Sequence, residues 1–203
     1  EALRAEKEDD IAALVTTVQA HARSLVLLTP ELATRGLRAT TEEVAAIMAD
    51  LERRYPGERE RSLFASVELS LRRLPQEVRG VIATLGVAQG GGCLLGLQQM
   101  LQVEPQIGYA IGSLLTQVGL CEMVGVVEEP KRPSDLFLRF DPALAPALLR
   151  ELREQGGEAE TQARTRWAQA YRGLADFLYR QQSQDAHLVA HLTLLELPNL
   201  LAA

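Results

Sequence analysis

Few residues in this 203-residue chain are spaced for chemistry, and each group has a narrow repertoire. Gln89-Gly-Gly-Gly-Cys93 has the glycines of a phosphate-binding loop, in which backbone N–H groups and one lysine cradle the phosphates. No lysine follows it: the chain carries only Lys7 and Lys131. The glycines are therefore expected to form a turn between helices, and an ATPase activity of this segment alone is not expected. His187 and His191 share one helix face, a spacing metals use, but zinc needs a third ligand and Glu196 points elsewhere on an ideal helix. No metal site is expected. Cys93 and Cys121 have no histidine nearby in sequence and lie in apolar stretches, so they read as buried, inert thiols rather than nucleophiles. The paired carboxylates Asp9-Asp10 and Glu128-Glu129 read as a helix start and as solvated charge. On these grounds no enzymatic activity is expected of the segment, while the longer protein could be an ATPase.

The elements that must position these residues are mostly helical. Ile11, Leu14, Val15 and Val18 fall at helical spacing, and Leu25, Leu28 and Leu32 continue the pattern. Pro30 is expected to kink or break that second stretch, and Gly36 to stop it. Thr40 and Glu43 have capping-box spacing ahead of Val44, Ile47 and Leu51. Tyr55-Pro56-Gly57 is a strong breaker and closes a helical subdomain at residues 1–57. Leu63, Val67 and Leu71 open the next helix, Pro75 starts another, and helices follow over 94–101 and from Pro105 to Val118. Leu120–Val127 and Leu136–Phe140 are β-leaning and separated by a polar, proline-bounded loop, so they predict a hairpin. Helices followed by that hairpin give a winged-helix order over residues 60–141. Asp141-Pro142 restarts helix, and a long amphipathic helix over 158–182 precedes a last one. Residues 142–203 thus look like a helical hairpin of the repeat type.

Composition agrees with a packed chain. Hydrophobic residues make up 47%, too many for disorder, yet apolar runs are only a few residues long where a bilayer span needs about 20. The charged start Glu1–Asp10 does not resemble a signal peptide, and two unpaired cysteines fit a reducing cytoplasm. The chain starts and stops within helical patterns, so it reads as a piece of a longer polypeptide.

The order of elements resembles the region behind the nucleotide-binding core of bacterial STAND-type, NB-ARC-like signalling NTPases. Val18-Gln-Ala-His21-Ala-Arg-Ser-Leu25-Val-Leu27 is similar to the family's Gly-His-Pro-Leu-Ala-Leu-like motif. Arg61–Pro75 looks like the first helix of its winged helix, and Phe137-Leu-Arg-Phe140-Asp141 stands at its Met-His-Asp-like motif. Leu195-Glu-Leu-Pro-Asn199-Leu-Leu-Ala-Ala resembles the Glu-x-x-Asn-Leu-x-x-Ala stretch of its tetratricopeptide-like repeats. Ala22 and Phe140 depart from the pattern, replacing an adenine-packing proline and a phosphate-reaching histidine. The resemblance implies a mainly α fold: a helical subdomain, a winged helix with a small β-hairpin, and the start of TPR-like repeats. It also implies nucleotide-facing roles for His21 (adenine packing), Arg23 (phosphate or acidic pairing) and Asp141 (orientation of the winged helix). ATP or ADP would bind only in the longer protein, with the partner being protein, including the nucleotide-binding domain itself, and with scope for oligomers.

A winged helix also raises DNA binding, which needs arginine or lysine for phosphates and base edges. From Gly80 to Pro130 there is none, and the recognition-helix candidate from Pro105 to Val118 is mostly apolar. Only Lys131 and Arg132 at the wing tip carry positive charge, flanked by Glu128, Glu129 and Asp135, and the chain's net charge is −6. The expectation is therefore a regulatory, protein-contacting segment, with nucleic acid and membrane disfavoured. Its rivals are a winged-helix transcription regulator and a helical adaptor with no nucleotide link. Gly108 and Gly112, four apart on the recognition-helix candidate, would allow close approach of a partner or of the rest of the fold.

Overall fold

The computed structural model describes residues 8–58 and 60–203; the charged start Glu1–Lys7 lies outside them. The chain divides into two compact units, one of residues 1–75 with 117–120 and one of residues 76–116 with 121–203. It is mainly helical with one small three-stranded antiparallel sheet.

The first unit holds α1 (Glu8–Thr17), α2 (Ala22–Arg35), α3 (Leu37–Arg54) and α4 (Arg61–Arg72). Glu8, Asp9 and Asp10 occupy the first turn of α1, where the helix dipole favours negative charge. Leu28, Val44 and Val67 are fully buried and join α2, α3 and α4 in one core. Ser62, Ser66 and Ser70 recur every four residues on the buried face of α4. Their small side chains let helices approach closely, and the Ser24 hydroxyl of α2 donates to Ser62 Oγ at 3.4 Å. The stretch from Arg61 thus packs with the helices before it.

Two expectations fail here for local reasons. Pro30 does not break α2, which runs from Ala22 to Arg35. The carbonyl that a proline leaves without its donor belongs to the residue four positions earlier, and Val26 lies on the solvent side. Thr40 does not cap α3 either. Gly36, at φ 80°, ends one helix and opens the next, and Thr40 is buried with its hydroxyl donating to the Gly36 carbonyl at 2.7 Å.

The second unit begins with α5 (Gln76–Ile82), which runs into a 3-10 helix at Ala83–Val87. Then follow β1 (Gly91–Cys93), α6 (Leu94–Leu101), α7 (Pro105–Gln117, its last residue in the first unit), β2 (Cys121–Gly125), β3 (Leu136–Phe140), α8 (Leu144–Glu154), α9 (Gly157–Gln181) and α10 (Ala186–Ala202). The hairpin expected from the β-leaning runs forms between β2 and β3, pairing Cys121 with Phe140 and Gly125 with Leu136. The glycines expected to be a mere turn instead supply β1, which pairs with β3 through Gly91 opposite Arg139 and Cys93 opposite Phe137. The sheet order is therefore β1-β3-β2. Glycine is poor in strands, so this strand carries no propensity signal. A Cβ at Gly91 would collide with the Leu138 carbonyl, and one at Gly92 would sit 2.6 Å from the Tyr171 hydroxyl.

Packing explains the two glycines of α7: Gly108 lies against Gln98 of α6 and Gly112 against the sheet. On α7, Gly108, Ile111, Gly112 and Leu115 face inward, and a Cβ at Gly112 would lie 3.0 Å from Met123 and 3.1 Å from Leu138. The small residues of α7 thus serve its own fold. Gln106, Ile107, Tyr109 and Ala110 face solvent. On α9, Trp167, Tyr171, Leu174 and Leu178 form the buried stripe that the spacing predicts, and α10 packs beside it.

Candidate functional site

The three residues marked by the resemblance fall in different units: His21 and Arg23 in the first, Asp141 in the second. His21 is the N-cap of α2. Its Nδ1 accepts from the Ser24 N–H at 3.3 Å and lies 3.2 Å from the Ser24 hydroxyl. Arg23 is exposed on the first helical turn. Asp141 ends β3 and turns the chain into α8: its carboxylate accepts from the Ala143 N–H at 2.9 Å and its carbonyl from the Leu144 N–H at 2.9 Å. That is the geometry of an aspartate turn at a helix start.

The two cations in the loop between β2 and β3 are engaged by carboxylates. Lys131 pairs with Glu129 at 3.3 Å and Arg132 with Asp135 at 3.3 Å. Asp135 is only 2% exposed. Burial pushes its carboxyl up, but the Lys131 and Arg132 N–H groups, the Arg132 guanidinium and the Ser134 hydroxyl outweigh that and hold it below the usual carboxylate range. Asp135 thus ties the loop between β2 and β3 into a fixed turn.

The densest polar cluster is one that sequence reasoning did not single out as a site. Glu196 and Asn199 of α10 are both fully buried. One Glu196 oxygen accepts from the Cys93 N–H, the other from the Tyr171 hydroxyl and the Asn199 amide, each at 3.0 Å. Asn199 also donates to the Gly91 carbonyl at 2.9 Å and accepts from the Gln89 N–H at 2.7 Å. Two side chains one helical turn apart thus bind the backbone of β1 and the segment before it, while Tyr171 brings in α9. No lysine or arginine takes part. Each bond to the carboxylate is worth about 1.5–3 kcal/mol, because its acceptor is charged.

Cys93 sits inside this cluster with its sulfur accepting from the Gly96 N–H at 3.4 Å. Burial first, then the nearby Glu196 charge, pushes its pKa well up. Burial and Glu196 do the same to the Tyr171 hydroxyl. Cys121, 3.4 Å from the Thr116 hydroxyl, is pushed up to about 11 by burial. Both sulfurs are protonated at neutral pH and make poor nucleophiles. His187 and His191 are exposed and stack edge to face at 4.1 Å between ring centres. Among the described residues no group of three or more His, Cys, Asp or Glu side chains is placed to hold a metal, and no helix is long and apolar enough to cross a membrane.

The cluster had one sequence signal. Glu196 is the only charged residue in α10, and Asn199 is the polar residue one turn on. A lone carboxylate in an otherwise uncharged helix must find donors if it is buried. The chain matches no protein-family model, no curated protein and no solved structure.

Proposed function

We propose that the chain is a non-catalytic regulatory and protein-interaction segment of a STAND-like signalling NTPase, working in the cytoplasm. In this reading residues 1–57 are the helical subdomain, residues 60–141 hold the winged helix, with α5–α7 around the three strands, and residues 142–203 open a TPR-like repeat region. The element order supports the winged helix: helix, strand, two helices, then a hairpin, with the first strand beside the last. The observation that carries the regulatory function is the outer face of α7. It stands where a DNA-reading helix would, yet it offers Gln106, Ile107, Tyr109 and Ala110 and no basic group. Ile107 is 51% and Tyr109 52% exposed, a surface suited to protein rather than phosphate. The Glu196–Asn199 clasp supports coupling, because a force or partner acting on α10 reaches β1 through side chains that bond its backbone.

His21, Arg23 and Asp141 are the residues assigned to the nucleotide-facing side of the longer protein, where ADP or ATP would be held by the nucleotide-binding domain. Two measurements test the reading. In the polypeptide of the complete reading frame, Asp141→Ala should weaken ADP retention and raise basal signalling; unchanged values would remove the nucleotide link and leave a helical adaptor. Duplex DNA at low salt should not bind the chain. Salt-sensitive binding lost on Lys131→Ala and Arg132→Ala would replace the reading with a transcription regulator.

A further inference from the structure

A shallow cleft of about 150 Å³ opens between α6 and α9, lined by Gln99, Gln102, Arg166, Gln169 and Ala170. Arg166 is the only charged residue in that lining and is half-buried. Its neighbours on α9 are differently placed: Arg164 is held by Glu160 at 2.8 Å, and Glu160 also takes Arg153 at 3.0 Å. Arg166 has no ion pair or hydrogen bond among the described residues, and the side-chain amides of Gln99, Gln102 and Gln169 have no hydrogen-bond partner there either.

The surrounding elements hold these groups around the opening. Arg166, Gln169, Ala170 and Gly173 follow one face of α9 at three- and four-residue spacing. Gly173 clears room for the α6 side: a Cβ there would lie 3.0 Å from Gln99 Oε1. Gln102 ends α6 in the left-handed region, at φ 57° and ψ 44°. That conformation costs a side-chain-bearing residue about 1–2 kcal/mol and is usually given to glycine. Here it sets a third amide at the rim.

We propose that this cleft binds a carboxylate from an acidic segment of a protein partner. A guanidinium fork matches a carboxylate with two parallel hydrogen bonds. Three primary amides, each both donor and acceptor, suit the N–H and C=O groups of the peptide around that carboxylate. A phosphate ester or nucleotide would call for a second cation, and a hydrocarbon ligand for more apolar wall than Ala170 provides. The negative charge of the rest of the chain is screened beyond roughly 8 Å at physiological salt, so the local cation governs the approach. The cleft lies within the second unit, and the inference does not depend on the nucleotide reading.

The test is a titration of the isotopically labelled full chain, followed by the side-chain amide signals of its glutamines in NMR. The probes are an acetylated, amidated triglutamate peptide, its triglutamine counterpart and inorganic phosphate. Triglutamate should move the Gln99, Gln102 and Gln169 signals saturably and the other two probes should not. Arg166→Ala should weaken triglutamate binding about tenfold to a hundredfold, and Arg166→Lys less, since lysine keeps the charge but loses the fork. No saturable shift with triglutamate, an equal response to triglutamine or phosphate, or an unchanged response in Arg166→Ala would each overturn the proposal. The wild-type spectrum outside the cleft, retained in both variants, verifies that they fold.

Discussion

Each unit buries a glutamate, and the two are stabilised by opposite means. In the first unit Glu31, 4% exposed, pairs with Arg35 at 3.1 Å and Arg73 at 3.2 Å. Arg35 also reaches Glu43, and Arg72 joins Glu43 to Glu68, so Glu31 ends a ladder of ion pairs whose other members reach solvent. In the second unit Glu196 is deeper and meets only neutral donors: a backbone N–H, a phenol and an amide. The ladder trades partners with water and salt; the Glu196 cluster has no such exchange. A buried carboxylate whose partners reach water loses less when a pairing goes than one whose donors are themselves enclosed and left stranded.

The largest expected effect follows directly. Glu196→Ala strands three donors but also removes a buried charge and its desolvation cost, so the net loss should be about 3–4 kcal/mol, below the sum of the three bonds, read as a shift of the urea midpoint. Glu196→Gln keeps the shape but turns a donor toward donors, and about half that loss is expected. Glu31→Gln should cost only about 1–2 kcal/mol at low salt and less at 1 M NaCl, because exposed partners are screened. The Glu196 effect should hardly change with salt; a matching salt dependence for both variants would erase the contrast.

A smaller effect concerns pH. The Asp135 carboxyl is held below its ordinary range in the folded chain. Its contribution is therefore present above the unfolded value near 4 and lost as pH falls through the lower folded value. An NMR titration of its side-chain carboxyl carbon should give a midpoint below the usual one, and Asp135→Asn should remove that acid dependence. The smallest effect on stability is also the most local. With the Cys121 pKa at about 11 and that of Cys93 pushed up as well, alkylation of the native chain at pH 8 should be on the order of a hundredfold slower than that of a free thiol. Glu196→Gln should speed the reaction of Cys93 and leave Cys121 unchanged, since only Cys93 feels that charge.

What the sequence disclosed follows from how local each signal is. The strand at Leu136–Phe140 and the stripe of Trp167, Tyr171 and Leu174 rest on side-chain periodicity, which a window of ten residues contains. The strand at Gly91–Cys93 has no such pattern; it exists because β3 and α10 supply partners for its backbone. Pro30 and Thr40 mislead for a related reason: helix boundaries here are set by Gly36 and by where solvent can reach Val26. The Glu196–Asn199 spacing was visible as part of a repeat-like stretch, but its target lies about a hundred residues upstream. No local reading joins the two.

That separation also bears on how the chain is made. The outer edge of β1 exposes the Gly91 carbonyl and the Cys93 N–H, and α10 answers them with side chains in place of a fourth strand. An open strand edge is a template for pairing with another molecule. Gln89 and Asn199 are 110 residues apart, so at 5–20 residues per second the edge waits roughly 5–20 s on the ribosome for its cover. The clasp that rigidifies the second unit is thus also a safeguard against aggregation, arriving only when α10 emerges.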